Sequence, residues 1–238
     1  MFFYNPTYLL FMAPAFILMM LTSWYVKHAY NKWSKVQSSS RLTGAQVAQR
    51  LINSSAYVTT SDGRGLFDVR IQGIGGNLTD HYDPRTKTLR LSQGVANTAS
   101  VAAVAIAAHE LGHALQDAED YLPLRFRAAL VPAVNIGSWL GWILILIGLF
   151  LNMTNLAWLG VLVFSGGAVF ALATLPVELN ASARAKQLLA ETGIIQSEQE
   201  RRGVNNVLNA AALTYVASLV TAILQLLYFA SLITGRRR

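Results

Sequence analysis

Hydrophobic positions in this 238-residue chain gather into long blocks instead of alternating with polar ones. Residues 8–26, 128–151, 156–175 and 210–233 contain no Asp, Glu, Lys or Arg. About 20 mostly apolar residues in a helix cross the hydrocarbon core of a bilayer, so these blocks predict four transmembrane helices. Pro14 is expected to bend the first. Trp24, Tyr25, Trp139, Trp142, Trp158 and Tyr228 lie near block ends or flanks, where interfacial anchors belong. The first block has no basic segment ahead of it and no small-x-small site before Lys27, so it reads as a retained anchor and not a cleaved leader.

Polar residues occupy the intervals. The largest, 27–127, is long enough for one small domain. Lys27–Val36 continues the first helix, and Ser38-Ser39-Ser40 breaks it. Thr43, with Gln46 three residues on, predicts a capping box opening a short helix whose apolar face is Val47, Leu51 and Ile52. Val69–Ile71 and Thr88–Leu91 predict short strands, punctuated by Gly63, Gly65, Gly73, Gly75 and Gly76 and by the turn Asp83-Pro84-Arg85. The Gly73–Gly76 stretch reads as a loop, because no Lys-Ser/Thr pair opens a helix after it, as a phosphate cradle would need.

Composition sharpens this picture. Only 13% of residues are charged, against about 25% in soluble domains. Net charge is +7, yet twelve of the 19 Lys and Arg lie between Lys27 and Arg127, and Arg184, Lys186, Arg201 and Arg202 lie between the third and fourth blocks. The 1–7 and 152–155 segments carry none. The positive-inside rule then predicts both large polar regions in the cytoplasm and the N-terminus outside, while the Arg236–Arg238 tail runs against it. Spread this way, the positive charge speaks for a lipid bilayer and against nucleic acid. The chain has no cysteine, which excludes disulfide scaffolds, thiolate metal sites and a cysteine nucleophile.

The chemistry concentrates in His109-Glu110-Leu111-Gly112-His113, which holds two of the four histidines. Residues four apart on a helix share a face, so His109 and His113 can reach one ion, with Glu110 beside them to take a proton from water. The run of small apolar residues Ala102–Ala108 ahead of the motif predicts a buried helix, and a buried charged triplet is costly without a metal. These features predict Zn2+ and peptide hydrolysis at a small α+β domain.

A catalytic zinc takes three protein ligands. Asp117, Glu119, Asp120 and Glu178 are the candidates for the third; Glu178 is expected in the first turn of a small-residue helix after Pro176, where the helix dipole favours an acid. Glu191, Glu198 and Glu200 read as solvated. Residues 87–92 are expected as an edge strand beside the zinc helix, able to pair with an extended substrate. His81 or Tyr82, in Asp80-His81-Tyr82-Asp83, is a candidate to hydrogen-bond the oxyanion, and Arg184 is another; the alternative for the run is a turn capped by Asp83.

Five stretches taken together resemble the YugP-type membrane zinc metallopeptidases of bacteria, the neutral zinc metallopeptidase family. They are Phe2–Tyr8, Thr43–Ala48, Leu78–Arg85, Ala107–Gln116 and Leu175–Ser182. The resemblance implies zinc on His109 and His113 with Glu110 as base. It extends to the gluzincin plan of HtpX-type proteases, which implies Glu178 as third ligand. Those proteases carry an aspartate four residues after that glutamate; here Ser182 stands there, so Asn180 or Ser182 is expected to orient a ligand histidine.

The expected architecture is a mainly α membrane protein, with four transmembrane helices and a small α+β zinc-metallopeptidase domain at the membrane surface. Residues 1–26 form transmembrane helix 1, 27–127 the catalytic region and 128–175 a transmembrane hairpin. Residues 176–209 carry the third-ligand helix, and 210–238 form helix 4 and the basic tail. The expected protein is a multi-pass zinc endopeptidase of the bacterial inner membrane acting on protein or peptide substrate. Homo-oligomer and membrane partner protein both stay open. The alternative is a non-proteolytic scaffold with a structural metal, against which stand the absent cysteines and the retained Glu110. A transporter is disfavoured because no span carries a charged residue.

Overall fold

The computed structural model describes residues 6–54 and 65–235. Phe2–Asn5, Gly63 and the Arg236–Arg238 tail, all invoked above, lie outside them. In chain order the elements are α1 (Pro6–Trp33), α2 (Gly44–Ile52), β1 (Arg70–Ile74), β2 (His81–Asp83), β3 (Thr88–Ser92), α3 (Gln93–Ala96), α4 (Val101–Ala118), α5 (Leu122–Phe150), α6 (Thr154–Phe164), α7 (Gly166–Glu191) and α8 (Glu198–Gly235). Four helical stretches are long and apolar enough to cross a membrane: Pro6–Trp33, Leu122–Phe150, Thr154–Glu191 and Glu198–Gly235. The fold is mainly α with one small sheet, as expected.

The chain divides into two units. The first comprises Met1–Ser23, Arg125–Pro176 and Leu213–Arg238. Its helices bury little. Leu10, Phe16, Met20, Trp139, Phe150 and Leu162 face outward, an apolar surface suited to lipid. Within it α5 and α6 form a close hairpin: a Cβ on Gly141, Gly148 or Gly160 would run into the facing helix at Phe164, Ala157 and Ile145 respectively. Small residues at such contacts let backbones approach where no hydrophobic drive exists between helices. Ile145, Tyr228 and Phe229 form its buried cluster, with Tyr8, Phe11 and Phe164 packed against them.

The second unit comprises Trp24–Leu124 and Val177–Ala212. Its core is organised around α4. Ser100 caps that helix by accepting from the Ala103 amide. The small side chains from Ala102 to Ala108 are almost all fully buried, so α2, α3 and the sheet pack close to the α4 backbone. Val104, Leu111 and Leu115 of α4 share one buried cluster with Val47, Leu51, Leu66, Leu188, Leu189 and Leu208. The Thr43–Gln46 capping box is present, with Thr43 N–H donating to the Gln46 side chain at 2.9 Å and Gln46 N–H donating to the Thr43 hydroxyl at 3.3 Å.

Three expectations are corrected here. The sheet order is β1-β3-β2, so residues 88–92 form the middle strand and not an edge; β3 pairs parallel to β1 and antiparallel to β2. A near-fully buried strand, as β3 is with Leu89 and Leu91 at 0% exposure, belongs in a sheet's interior. Next, α7 begins at Gly166 and runs through Pro176, so Glu178 lies mid-helix and has no helix-start dipole to account for it. The missing amide is tolerated, as proline often is in membrane helices. Finally, Glu200 is buried at 3% exposure. Its carboxylate accepts from Ser39 N–H at 2.7 Å, Ser39 Oγ at 2.9 Å and Ser197 N–H at 3.0 Å, clamping the start of α8 to the loop after α1. Glu191 and Glu198 are exposed, as expected.

Candidate metal centre

His109, Glu110 and His113 occupy successive turns of α4. Glu178 and Ser182 occupy successive turns of α7, one i,i+4 pair facing another. Glu178 Oε2 stands 3.3 Å from His109 Nε2 and 3.6 Å from His113 Nε2. The two imidazole rings are nearly perpendicular, with centroids 4.9 Å apart. One ligand atom from each of the three residues lies within 4.8 Å of the others, and among the described residues these three form the group able to hold a metal ion. Their side chains are 11%, 12% and 3% exposed, so the convergence is interior.

The donor chemistry fits zinc. Ligands about 2.0–2.1 Å from a tetrahedral ion lie roughly 3.4 Å from one another, and the observed separations bracket that figure. Each ring's other nitrogen is engaged: His109 Nδ1 lies 3.2 Å from Ser182 Oγ, and His113 Nδ1 lies 3.0 Å from Gln116 Oε1. Both Nε2 atoms are thereby left facing the carboxylate. Burial alone would raise the Glu178 acid, but the close approach of the His109 and His113 imidazoles holds it well below the usual carboxylate range. Burial alone would lower His113; the neighbouring Glu178 and Glu110 carboxylates bring it above the ordinary imidazole value.

Glu110 is oriented by the sheet. Its Oε2 accepts the Tyr82 N–H at 3.1 Å from β2, while the Tyr82 hydroxyl donates to Asp117 Oδ2 at 2.9 Å. Burial and the Asp117 charge push the Tyr82 phenol far up, so it stays a donor. The strand itself is tied down. Asp80 accepts from Ser92 N–H at 2.7 Å, and Asp83 accepts from Arg85 N–H and pairs with Arg90 at 3.2 Å.

The other sequence candidates are placed as follows. His81 is exposed at the start of β2, its Nδ1 2.8 Å from the Thr79 carbonyl. Asp117 holds Tyr82, and Glu119 pairs with Arg184 at 2.7 Å. Asp120 lies past the end of α4. Arg184 Nε donates to Asn180 Oδ1 at 2.7 Å, and Asn180 in turn accepts from Gln116 Nε2 at 2.9 Å. Gln116, fully buried, was not singled out from the sequence. Its signal is position alone: three residues after His113 and seven after His109, it shares their helix face.

Comparisons with known proteins give the chain's family. The family described as "putative neutral zinc metallopeptidase" matches residues 8–234. The chain is 43% identical over 212 residues to the "Putative membrane protease YugP" of Bacillus subtilis (strain 168), covering 89% of this chain and 90% of that protein. No solved structure matches the chain.

Proposed function

The chain belongs to the neutral zinc metallopeptidase family, and from that premise we propose that it is a membrane-embedded endopeptidase whose metal is held by His109, His113 and Glu178. The observation that carries the reading is the convergence of those three donors beside a carboxylate, Glu110, that is not one of them. This is the gluzincin arrangement: two histidines from one helix and a glutamate from a later one. Three protein ligands leave one position open, as in catalytic rather than structural zinc sites, which argues against a scaffold.

His109, His113 and Glu178 would hold the zinc ion, and the chemistry it would supply there is Lewis acidity. Glu110 takes the proton from the attacking water and delivers it to the leaving amine. The Tyr82 amide holds one Glu110 oxygen and leaves the other to handle that proton. Ser182 and Gln116 hold the ligand imidazoles in place.

Protein substrate follows from the family. The finer reading is that it is membrane-associated or unfolded, because Glu178 lies in a stretch, Thr154–Glu191, long and apolar enough to cross a membrane. Lys and Arg on the two polar regions support a cytoplasmic site in a bacterial inner membrane. The edge strand next to Glu110 is β2, and it replaces β3 as the strand against which an extended substrate would lie.

Glu110→Gln tests the assignment. The variant retains one zinc per chain and the wild-type fold, and loses about 10²–10⁴-fold in cleavage of a denatured test protein. Cleavage at the wild-type rate would overturn it.

A further inference from the structure

Gln116 is enclosed at 0% exposure in the second unit. Its amide nitrogen donates to the Val177 carbonyl at 2.8 Å and to Asn180 Oδ1 at 2.9 Å, and its Oε1 faces His113 Nδ1 at 3.0 Å. Arg184 Nε donates to the same Asn180 oxygen at 2.7 Å, and its NH2 group reaches Glu119 at 2.7 Å. A continuous chain of hydrogen bonds therefore runs Glu119–Arg184–Asn180–Gln116–His113.

The direction of that chain is forced. A side-chain amide can face either way, and its neighbours decide which. The Val177 carbonyl can only accept. A guanidinium can only donate, so Asn180 must turn its oxygen toward Arg184, and that oxygen is the atom Gln116 meets. Both neighbours on that side of Gln116 are acceptors, so its NH2 group faces them and its oxygen faces His113. An acceptor opposite Nδ1 requires a proton on Nδ1. The neutral imidazole then carries its lone pair on Nε2, the nitrogen aimed at Glu178. His109 differs: its Nδ1 faces the Ser182 hydroxyl, which can donate or accept.

We propose that Gln116 is a positioning residue that fixes the tautomer and ring orientation of His113 as a metal ligand, and that Asn180 and Arg184 fix Gln116 in turn. This rests on the metal centre proposed above. It also gives Arg184 a role different from the oxyanion donor considered from sequence.

The test uses the full chain in detergent. Zinc affinity is read by competition with a chromophoric chelator, and ligand geometry by the visible absorption of the Co2+-substituted protein. Gln116→Leu is expected to weaken zinc binding by about 10–100-fold and to change the Co2+ spectrum. Asn180→Leu is expected to act in the same direction, whereas Asn180→Asp, which keeps an oxygen for both donors, stays near wild type. Asn180 is partly exposed, so this pair decides the matter if Gln116→Leu fails to fold. Arg184→Met weakens zinc binding if Arg184 positions Gln116; a loss confined to kcat would overturn its place in the chain. Wild-type affinity and spectrum in Gln116→Leu, or identical behaviour of the two Asn180 variants, would overturn the proposal while leaving the metal centre standing. A wild-type chain that binds no zinc would overturn both.

Discussion

Gly112 in α4 lies against the backbone of Ala181 in α7: a Cβ added to Gly112 would stand 2.5 Å from the Ala181 carbonyl oxygen. Gly112 sits between His109 and His113, and Ala181 between Glu178 and Ser182. The missing side chain is therefore what lets the turns that carry His109, His113 and Glu178 approach. Gly112→Ala sets two effects against each other. Alanine favours a helix interior by about 1 kcal/mol, while overpacking against backbone costs about 1–3 kcal/mol. Here the obstacle is a carbonyl and not a flexible side chain, so the second wins. The variant is expected to unfold at lower temperature and to bind zinc more weakly, by thermal melts with and without metal and by zinc titration. A more stable variant with unchanged zinc affinity would contradict the close approach.

Tyr82 touches α4 twice, two turns apart, through its amide to Glu110 and its hydroxyl to Asp117. Tyr82→Phe removes only the second contact. Leaving Asp117 without that donor is expected to cost about 1–3 kcal/mol of stability, with zinc content unchanged. Activity tells positioning from chemistry. A strand latch predicts a loss below about 10-fold, whereas an oxyanion donor predicts roughly 10²–10³ in kcat. Steady-state kinetics beside a urea melt decide between them, and the hydroxyl's engagement with Asp117 favours the smaller loss.

What could be read from sequence divides along physical lines. The four spans were legible because an uncharged block of sufficient length has few alternatives to a membrane helix. The His109–Glu110–His113 face was legible because helical spacing alone aligns it. Glu178 was legible as a lone acid beside an apolar block, but its place inside a continuous helix was not. Pro176 signals a helix start in water, whereas α7 carries it internally. The strand β2 was hidden because three residues, His81 to Asp83, are too few for a period to show. What holds them is tertiary: Asp80 to Ser92, Tyr82 to Glu110 and Asp83 to Arg90. The central place of β3 was hidden for the same reason, since strand order depends on partners elsewhere in the chain. Gln116 was hidden because a glutamine on a helix is ordinarily unremarkable, and only the α7 partners Val177 and Asn180 make it a relay.

Glu200 makes the stability of the fold depend on pH. Burial opposes its ionisation, but hydrogen bonds from Ser39, Ser197 and Gln196 outweigh that and hold its acid down to about 2. In the unfolded chain a glutamate titrates near 4.3. A depressed folded value means that the ionised clamp stabilises the fold fully above the unfolded value, and that this contribution drains away as pH falls from about 4.3 toward 2. Glu200→Gln cannot ionise and keeps one acceptor oxygen. It is therefore expected to be less stable than wild type at pH 7, by about 1–3 kcal/mol as judged from hydrogen bonds to a charged group. The gap between the two proteins should close progressively below pH 4.3. Denaturant melts of both in the same detergent at pH 7, 4 and 3 check this. A gap that stays constant over that range would mean that ionisation of Glu200 contributes nothing to the difference between the two proteins.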